Sequence, residues 1–225
     1  MSGTSTIATG TGPISVCISA DGTSVYAANY SSNTVSIFTR NTSTGALSGT
    51  STIATGSGPY SVCISADGTS VYAANVNSGT VSIFTRNTST GALSGTSTIA
   101  TGSGPSSVCI SADGTSVYAA NSSSNTVSIF TRNTSTGALS GTSTIATGSA
   151  PYSVCISANG TSVYAVNNTS NTVSIFTRNT STGALSGAST IATGSGPISV
   201  CISADGTSVY AANYTSGTVS IFTRS

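Results

Sequence analysis

Short stretches of alternating apolar and polar residues follow one another along this chain, and none of them shows a helical spacing. In the first full block the strand signature falls on Ile14 to Ser19, Ser24 to Asn29, Thr34 to Arg40 and Thr50 to Thr55, named a, b, c and d here. All four are rich in Val, Ile, Thr, Tyr and Phe. Asp21-Gly22 between a and b is a strong hairpin signal. Ser31-Ser32-Asn33 joins b to c, Asn41 to Gly45 joins c to d, and Gly56-Ser57-Gly58-Pro59 leads onward. The density of β-branched residues argues against helices. Val16 and Ile18 share one face of strand a, with Ser15, Cys17 and Ser19 on the other; on strand c, Val35 and Ile37 oppose Ser36 and Phe38. Packing groups on both faces predict sheets that stack on one another.

The block recurs every 46 residues, as the positions of Cys17, Cys63, Cys109, Cys155 and Cys201 show. A period of this size is the mark of solenoids, propellers or arrays. The expected fold is all-β: a five-bladed β-propeller of four-stranded antiparallel blades, with a sandwich or an open β-solenoid as the alternatives. The expected single domain, 1–225, divides into residues 1–10 as an outer strand, then blades at 11–56, 57–102, 103–148, 149–194 and 195–225. Gly3 to Gly10 matches strand d, whereas Ile221 to Ser225 follows directly on a strand c. Pairing of Thr4 to Thr9 with Thr218 to Arg224 would complete the fifth blade and clasp the ring. A monomer is expected, with strand-swapped oligomers as the competitor because the copies are so alike. The non-local pairing also predicts slow folding.

Composition removes several function classes. Only 4% of residues are charged, against roughly a quarter in an ordinary domain. Five Arg and four Asp, with no Lys, Glu or His, give a net charge of +1, which offers no footprint for nucleic acid or an anionic membrane. No apolar run approaches the roughly 20 residues of a membrane span, so no membrane insertion is expected. Met1 leads straight into Ser-Gly-Thr-Ser-Thr-Ile without a signal-like segment, while the Ser, Thr, Asn and Gly content favours an extracellular or cell-surface setting. Cysteines in equivalent positions lie a whole repeat apart, beyond the 7 Å or so that a disulfide spans, and read as buried thiols. No metal site and no cofactor are expected, since close-spaced ligand sets are missing.

The run from Pro13 to Asn29, P-x-S-V-x-I-S-x-D-G-x-x-V-Y-x-A-N, is followed by N-T-V-S-I-F and T-G-A-L. This pattern resembles the repeat of the YVTN and lactonase-like β-propellers, and it covers all five copies. The resemblance implies a propeller blade. Members of that family are often seven-bladed and include surface-layer-associated proteins and lactone hydrolases. The near identity of the copies fits recent amplification of one blade or deliberate design.

General acid-base catalysis at neutral pH usually draws on His, Glu or Lys, all absent here. Asp21, Asp67, Asp113 and Asp205 sit in the a-b turn, where Asn159 replaces them in the fourth copy, so turn formation is their expected role. Arg40, Arg86, Arg132, Arg178 and Arg224 end the c strands at the same side of the ring. An exposed rim of Arg-Asp pairs, each contributing about 0–1 kcal/mol, is expected there. The copies differ mainly in two places. After Pro stand Ile14, Tyr60, Ser106, Tyr152 and Ile198; after the strand-b Asn stand Tyr30, Val76, Ser122, Asn168 and Tyr214. These positions fall in the d-a and b-c connections on the opposite face. Tyr30, Tyr60, Tyr152 and Tyr214, with Ile14, Ile198 and Asn168, are therefore the candidate ligand-binding residues. The functional expectation is a non-enzymatic repeat scaffold binding a glycan or peptide multivalently. A structural or designed symmetric propeller without ligand is one alternative, and a lactonase-like hydrolase is another.

Overall fold

The computed structural model describes residues 5–224, which form nineteen strands, all paired antiparallel, and no helix. The first sheet contains β1 (Pro13–Ile18), β2 (Ser24–Asn29), β3 (Thr34–Arg40) and β4 (Leu47–Ala54) in that order. The second contains β5 (Pro59–Ile64), β6 (Ser70–Asn75), β7 (Thr80–Arg86) and β8 (Leu93–Ala100). The third contains β9 (Pro105–Ile110), β10 (Ser116–Asn121), β11 (Thr126–Arg132) and β12 (Leu139–Ala146). The fourth contains β13 (Pro151–Ile156), β14 (Ser162–Asn167), β15 (Thr172–Arg178) and β16 (Leu185–Ala192). The fifth has three strands, β17 (Pro197–Ile202), β18 (Ser208–Asn213) and β19 (Thr218–Thr223).

The a-b turn folds as its sequence requires. Asp21 Oδ1 accepts bonds from the Ser19 hydroxyl, from the Thr23 amide at 3.0 Å and from the Thr23 hydroxyl at 2.8 Å, while Gly22 takes φ +68°. Asn159 repeats these bonds through its own Oδ1. Strand d starts earlier than expected, at Leu47, because Leu47 pairs with Arg40 and Ser48 with Thr39. The register then slips between Ile37 and Thr39, and Gly49, at φ +67°, takes up the extra residue of the bulge.

Strand a of each sheet runs beside strand a of the next, whereas neighbouring outer strands scarcely meet, so the sheets radiate like blades. Each blade offers two different faces. Tyr26, Ala28 and Val35 of the first blade, flanked by Cys17, Ile37 and Ile53, pack against Val62, Val71, Ala73, Phe84 and Leu93 of the second. The same set recurs between the second and third blades and between the third and fourth. All five cysteines are free thiols. Burial pushes the Cys17 and Cys155 thiols up to about 12, which leaves them protonated and inert.

The interface between blades is closed by an arginine. Arg86 of the second blade donates from Nε to the Tyr26 hydroxyl at 2.7 Å. Its Nη2 reaches Asp21, Thr23 and Ser24 of the first blade at 3.2, 3.1 and 2.9 Å, and Nη1 binds the carbonyl of Gly68 at 3.1 Å in its own a-b turn. The Tyr26 hydroxyl in turn donates to the Gly91 carbonyl at 2.7 Å. Gly91 sits at φ +75°, and a Cβ there would lie 2.3 Å from Ser24 Oγ, so only glycine fits. Arg132 and Arg178 repeat the arrangement on Tyr72 and Asp67, and on Tyr118 and Asp113. These arginine side chains are at most 1% exposed, while their Asp partners keep 40 to 44%. The expected exposed rim is thus corrected: the aspartates are at the surface, but the guanidinium groups are sealed between blades.

Expected ring closure is not formed. Residues 5–9 are in no strand and Thr4 lies outside the described residues, so the outer edge of β19 is unpaired among the described residues. Val16 is 67% exposed on the first blade and Ile221 is 71% exposed on the fifth. The five blades form an open arc with two bare ends.

Removing an enclosed guanidinium strands the groups that it joins. Arg132→Ala should lower stability by about 2–4 kcal/mol, whereas Arg40→Ala, with no preceding blade to hold, should stay within about 0.5 kcal/mol. Urea midpoints of the two variants test this contrast.

Acid should weaken the same clasps. Burial raises the Asp67 and Asp113 pKa values, but hydroxyls of Ser65 or Ser111, the Thr69 or Thr115 amide and hydroxyl, and the facing arginine outweigh it, leaving both at about 2 against an ordinary 3.8. A depressed native pKa gives stability that is complete above the unfolded value and is lost as pH falls through the native one. Stability should therefore be level above about pH 5 and fall between about pH 4 and pH 2. In Asp113→Asn the fall should be shallower, with the turn retained as in the fourth blade, and urea titrations across this range measure it.

Candidate functional site

At the end of the arc opposite the arginine clasps, two loops of each blade are tied together by main chain. The Tyr30 amide donates to the Gly12 carbonyl at 2.8 Å, and Val76, Ser122, Asn168 and Tyr214 make the equivalent bonds at the same distance. The preceding Asn anchors the loop from below: Asn29 Nδ2 donates to Thr34 Oγ1 at 3.0 Å and to Ser36 Oγ at 2.9 Å. Because the backbone carries the structure, the side chain that follows this Asn is free to differ among copies.

The residue after Pro opens the innermost strand. Tyr60 of the second blade and Tyr152 of the fourth meet there, their hydroxyls hydrogen-bonded and their rings edge to face with centroids 5.7 Å apart. The third blade stands between them and contributes only Ser106, whose hydroxyl bonds the Pro151 carbonyl at 3.1 Å and the Ala120 carbonyl at 3.3 Å. Tyr30 adds its ring edge to face with Tyr60 at 6.2 Å, and Asn77 Nδ2 donates to the Tyr30 hydroxyl at 3.4 Å.

Three of the seven predicted residues, Tyr30, Tyr60 and Tyr152, are therefore brought into one cluster. Asn168 bridges blades instead, through a 3.2 Å bond from Nδ2 to the Pro197 carbonyl. Tyr214 stands alone and 78% exposed, Ile198 is half-buried, and Ile14 is exposed at the bare end of the first blade. Ser106 and Asn77 were missed, although both occupy positions at which the copies differ. That variability was the signal.

Burial raises the Tyr60 pKa, and the Tyr152 hydroxyl and the neighbouring Tyr30 raise it further, to about 12. The phenol is consequently a neutral donor at any physiological pH. No charged side chain stands in these loops, because every Arg and Asp belongs to a c-strand end or an a-b turn. Among the described residues, no three His, Cys, Asp or Glu side chains gather as a metal ion would require.

The model of the family described as "Lactonase, 7-bladed beta-propeller" matches residues 2–109 and again 95–192, together most of the chain. The chain belongs to this lactonase family. No curated protein sequence matches it. Among solved structures, a candidate 6-phosphogluconolactonase from Bacteroides uniformis superposes with a TM-score of 0.85 at 24% identity, covering 98% of this chain and 70% of the other. The periplasmic gluconolactonase of Pseudomonas aeruginosa gives 0.82 at 21% identity, covering 95% and 66%. A protein from Lactobacillus plantarum gives 0.84 at 22% identity, covering 95% and 67%. The lactonase-family chain thus spans about two thirds of the length of these structures, whose likeness to it is one of fold.

Family membership overturns two expectations, that the chain is a non-catalytic scaffold and that it is not an enzyme. The absence of His, Glu and Lys does not exclude chemistry, since a neutral hydroxyl donor can also polarise a carbonyl.

The Tyr60 shift depends on its partner. In Tyr152→Phe the Tyr60 phenol should titrate at lower pH than in the parent, because a hydrogen-bond partner and a nearby titrating group are both lost. Ring-carbon-labelled tyrosine NMR across the alkaline range measures this, and an unchanged Tyr60 titration would separate the two residues.

Proposed function

We propose that this chain is a lactone hydrolase acting on an uncharged, hydroxyl-rich sugar lactone bound over the Tyr30, Tyr60 and Tyr152 cluster, with Ile14, Ile198, Asn168 and Tyr214 further out on the same face. The observation that carries the proposal is the phenol pair at the centre of an uncharged face. Family membership supplies the reaction class. The names of two structural neighbours, a gluconolactonase and a candidate 6-phosphogluconolactonase, narrow the substrate class to aldonic lactones. The face itself favours the unphosphorylated one, since every arginine lies at the other end of the blades.

In the phenol pair one hydroxyl donates to the other, and the accepting hydroxyl keeps a free proton, polarised by the bond that it accepts. That proton is offered to the lactone carbonyl oxygen. Water adds to the carbonyl carbon, the oxyanion is held by the phenol, and the acyl bond to the ring oxygen breaks. The added water keeps one proton as the acid hydroxyl and yields the other to the ring oxygen, and the product is the open hydroxy acid. Tyr30 supplies an aromatic wall for the sugar ring, and the Asn77 amide supplies polar contact to its hydroxyls. With no carboxylate, imidazole or amine in these loops, water or hydroxide from solvent is the nucleophile.

Removal of one donor to an oxyanion typically costs about 10²-fold or more in kcat. Tyr60→Phe and Tyr152→Phe should each lower gluconolactone hydrolysis, and the double variant should fall to the uncatalysed rate with its β-sheet circular dichroism intact. Because Tyr60 stays protonated until about 12, loss of its proton should not lower the catalysed rate between neutral pH and about pH 10. A pH-stat assay of gluconolactone and its 6-phosphate decides the matter. No hydrolysis of either above buffer would end the proposal, and a preference for the phosphate would refute its account of specificity.

A further inference from the structure

One a-b turn differs in chemistry from its four counterparts. Asn159 stands where the other copies have Asp21, Asp67, Asp113 and Asp205, and with Gly160 it forms the one Asn-Gly pair in the chain. Its carboxamide is held one way round. Oδ1 accepts from the Ser157 hydroxyl at 2.7 Å, the Thr161 amide at 3.2 Å and the Thr161 hydroxyl at 2.9 Å, as Asp113 Oδ1 does from Ser111 and Thr115. Nδ2 therefore takes the place that Oδ2 has in Asp113. There Arg178 donates to Oδ2 from both Nη1 and Nη2 at 3.0 Å.

Arg224 brings a guanidinium to the equivalent place on the fourth blade. Its Nη2 donates to the Thr161 and Ser162 hydroxyls at 3.1 and 2.9 Å, as Arg178 Nη2 does to Thr115 and Ser116 at 2.9 and 3.0 Å. A carboxamide nitrogen and a guanidinium are both donors, so neither can satisfy the other. Among the described residues, Asn159 Nδ2 makes no hydrogen bond. An oxygen in its place would be a charged acceptor facing a cation.

We propose that Asn159 is a self-modifying site, whose side chain loses its amide without an enzyme and becomes the aspartate that the other four copies carry. The Gly160 main-chain nitrogen gives its proton to solvent base and bonds to Asn159 Cγ. The bond from Cγ to Nδ2 breaks, Nδ2 leaves as ammonia with a proton from solvent, and a five-membered cyclic imide remains. Water then adds at Cγ, the bond from Cγ to the Gly160 nitrogen breaks, and that nitrogen recovers a proton. The net change consumes one water, releases one ammonia and leaves a carboxylate; nothing is oxidised or reduced. Gly160 has no side chain to obstruct its nitrogen, and the three donors on Oδ1 stabilise the negative charge that develops there. The pace is set by one bond. Gly160 N–H is donated to the Ser157 carbonyl at 2.8 Å, so cyclisation waits for this exposed turn to open. The turn also selects the product. Opening of the imide at Cγ restores the main chain that these bonds require, whereas opening at the main-chain carbonyl would lengthen the hairpin by one atom.

The test holds the full chain in mildly alkaline buffer, samples it over time, and resolves its peptides by mass and by isoaspartyl-specific methylation. Asn159 should convert to α-linked aspartate with release of ammonia. Asn41, Asn87, Asn133 and Asn179 are the internal controls: their Oδ1 atoms also accept main-chain amides in exposed turns, but Thr follows each, and they should keep their amides over the same interval. The aged protein and Asn159→Asp should share a urea midpoint above that of the fresh parent, and Arg224→Gln should abolish the gain. Since Arg224→Gln also removes bonds to two hydroxyls, salt gives a second reading: the gain should shrink as salt screens the new pair. Three results would overturn the proposal: an Asn159 that converts no faster than the four Asn-Thr sites, a product that is chiefly β-linked, or a midpoint gain that is absent or indifferent to both Arg224 and salt.

Discussion

Each blade of this molecule has two apolar faces and cannot cover either of them itself. Everything else in the structure answers to that constraint. A four-stranded sheet whose strands alternate Val and Ile against Cys, Ser and Phe gains little by folding alone, because burial on one side leaves the other wet. Stacking resolves the problem for every blade with two neighbours. The faces differ, one built from Tyr26, Ala28 and Val35 and the other from Val62, Val71, Ala73 and Phe84, so stacking is directional and each interface specifies the next. Stacking also keeps charge off the inner strands, while the exposed outer strand carries Ser and Thr and charge is found at one loop end alone.

The charges that remain are spent on alignment. A guanidinium has five donors in a fixed plane, and in Arg132 they are distributed between Tyr72, Asp67, Thr69 and Ser70 on one blade and Gly114 on its own. Apolar contact between smooth β faces tolerates sliding; this fork does not. With Asn159 in place of Asp, the fourth blade keeps the turn, so the turn itself does not need the charge.

Much of this was readable in the residues. The period, the four strands, the hairpin turn at Asp21-Gly22 and the two-faced alternation all follow from local rules, and strands b and c lie where the pattern put them. Strand d did not, because its first residues pair across a bulge whose signal is the single Gly49. The clasp was half legible: sequence put Arg and Asp at one end of the blades, but no local rule says that a residue at the rim of one blade lies inside the contact with the next. Closure was not legible: counting strands shows that the N-terminal segment could complete the fifth blade, but residues 5–9 are in no strand.

The tyrosine cluster illustrates the same limit from the other direction. Five nearly identical blades would give a symmetric axis, and a symmetric axis offers no single place for chemistry. The copies break symmetry where backbone bonds already hold the loops, so the differences cost little in stability. Tyr60 and Tyr152 can touch only because Ser106, on the blade between them, is small. The tyrosine cluster therefore belongs to a pattern of large, small, large across three consecutive blades, and no single repeat contains it. Variable positions read one repeat at a time yield a set of tyrosines; read around the axis they yield a pair with a spacer. The cluster is written in the order of the copies, and the fold in what the copies share.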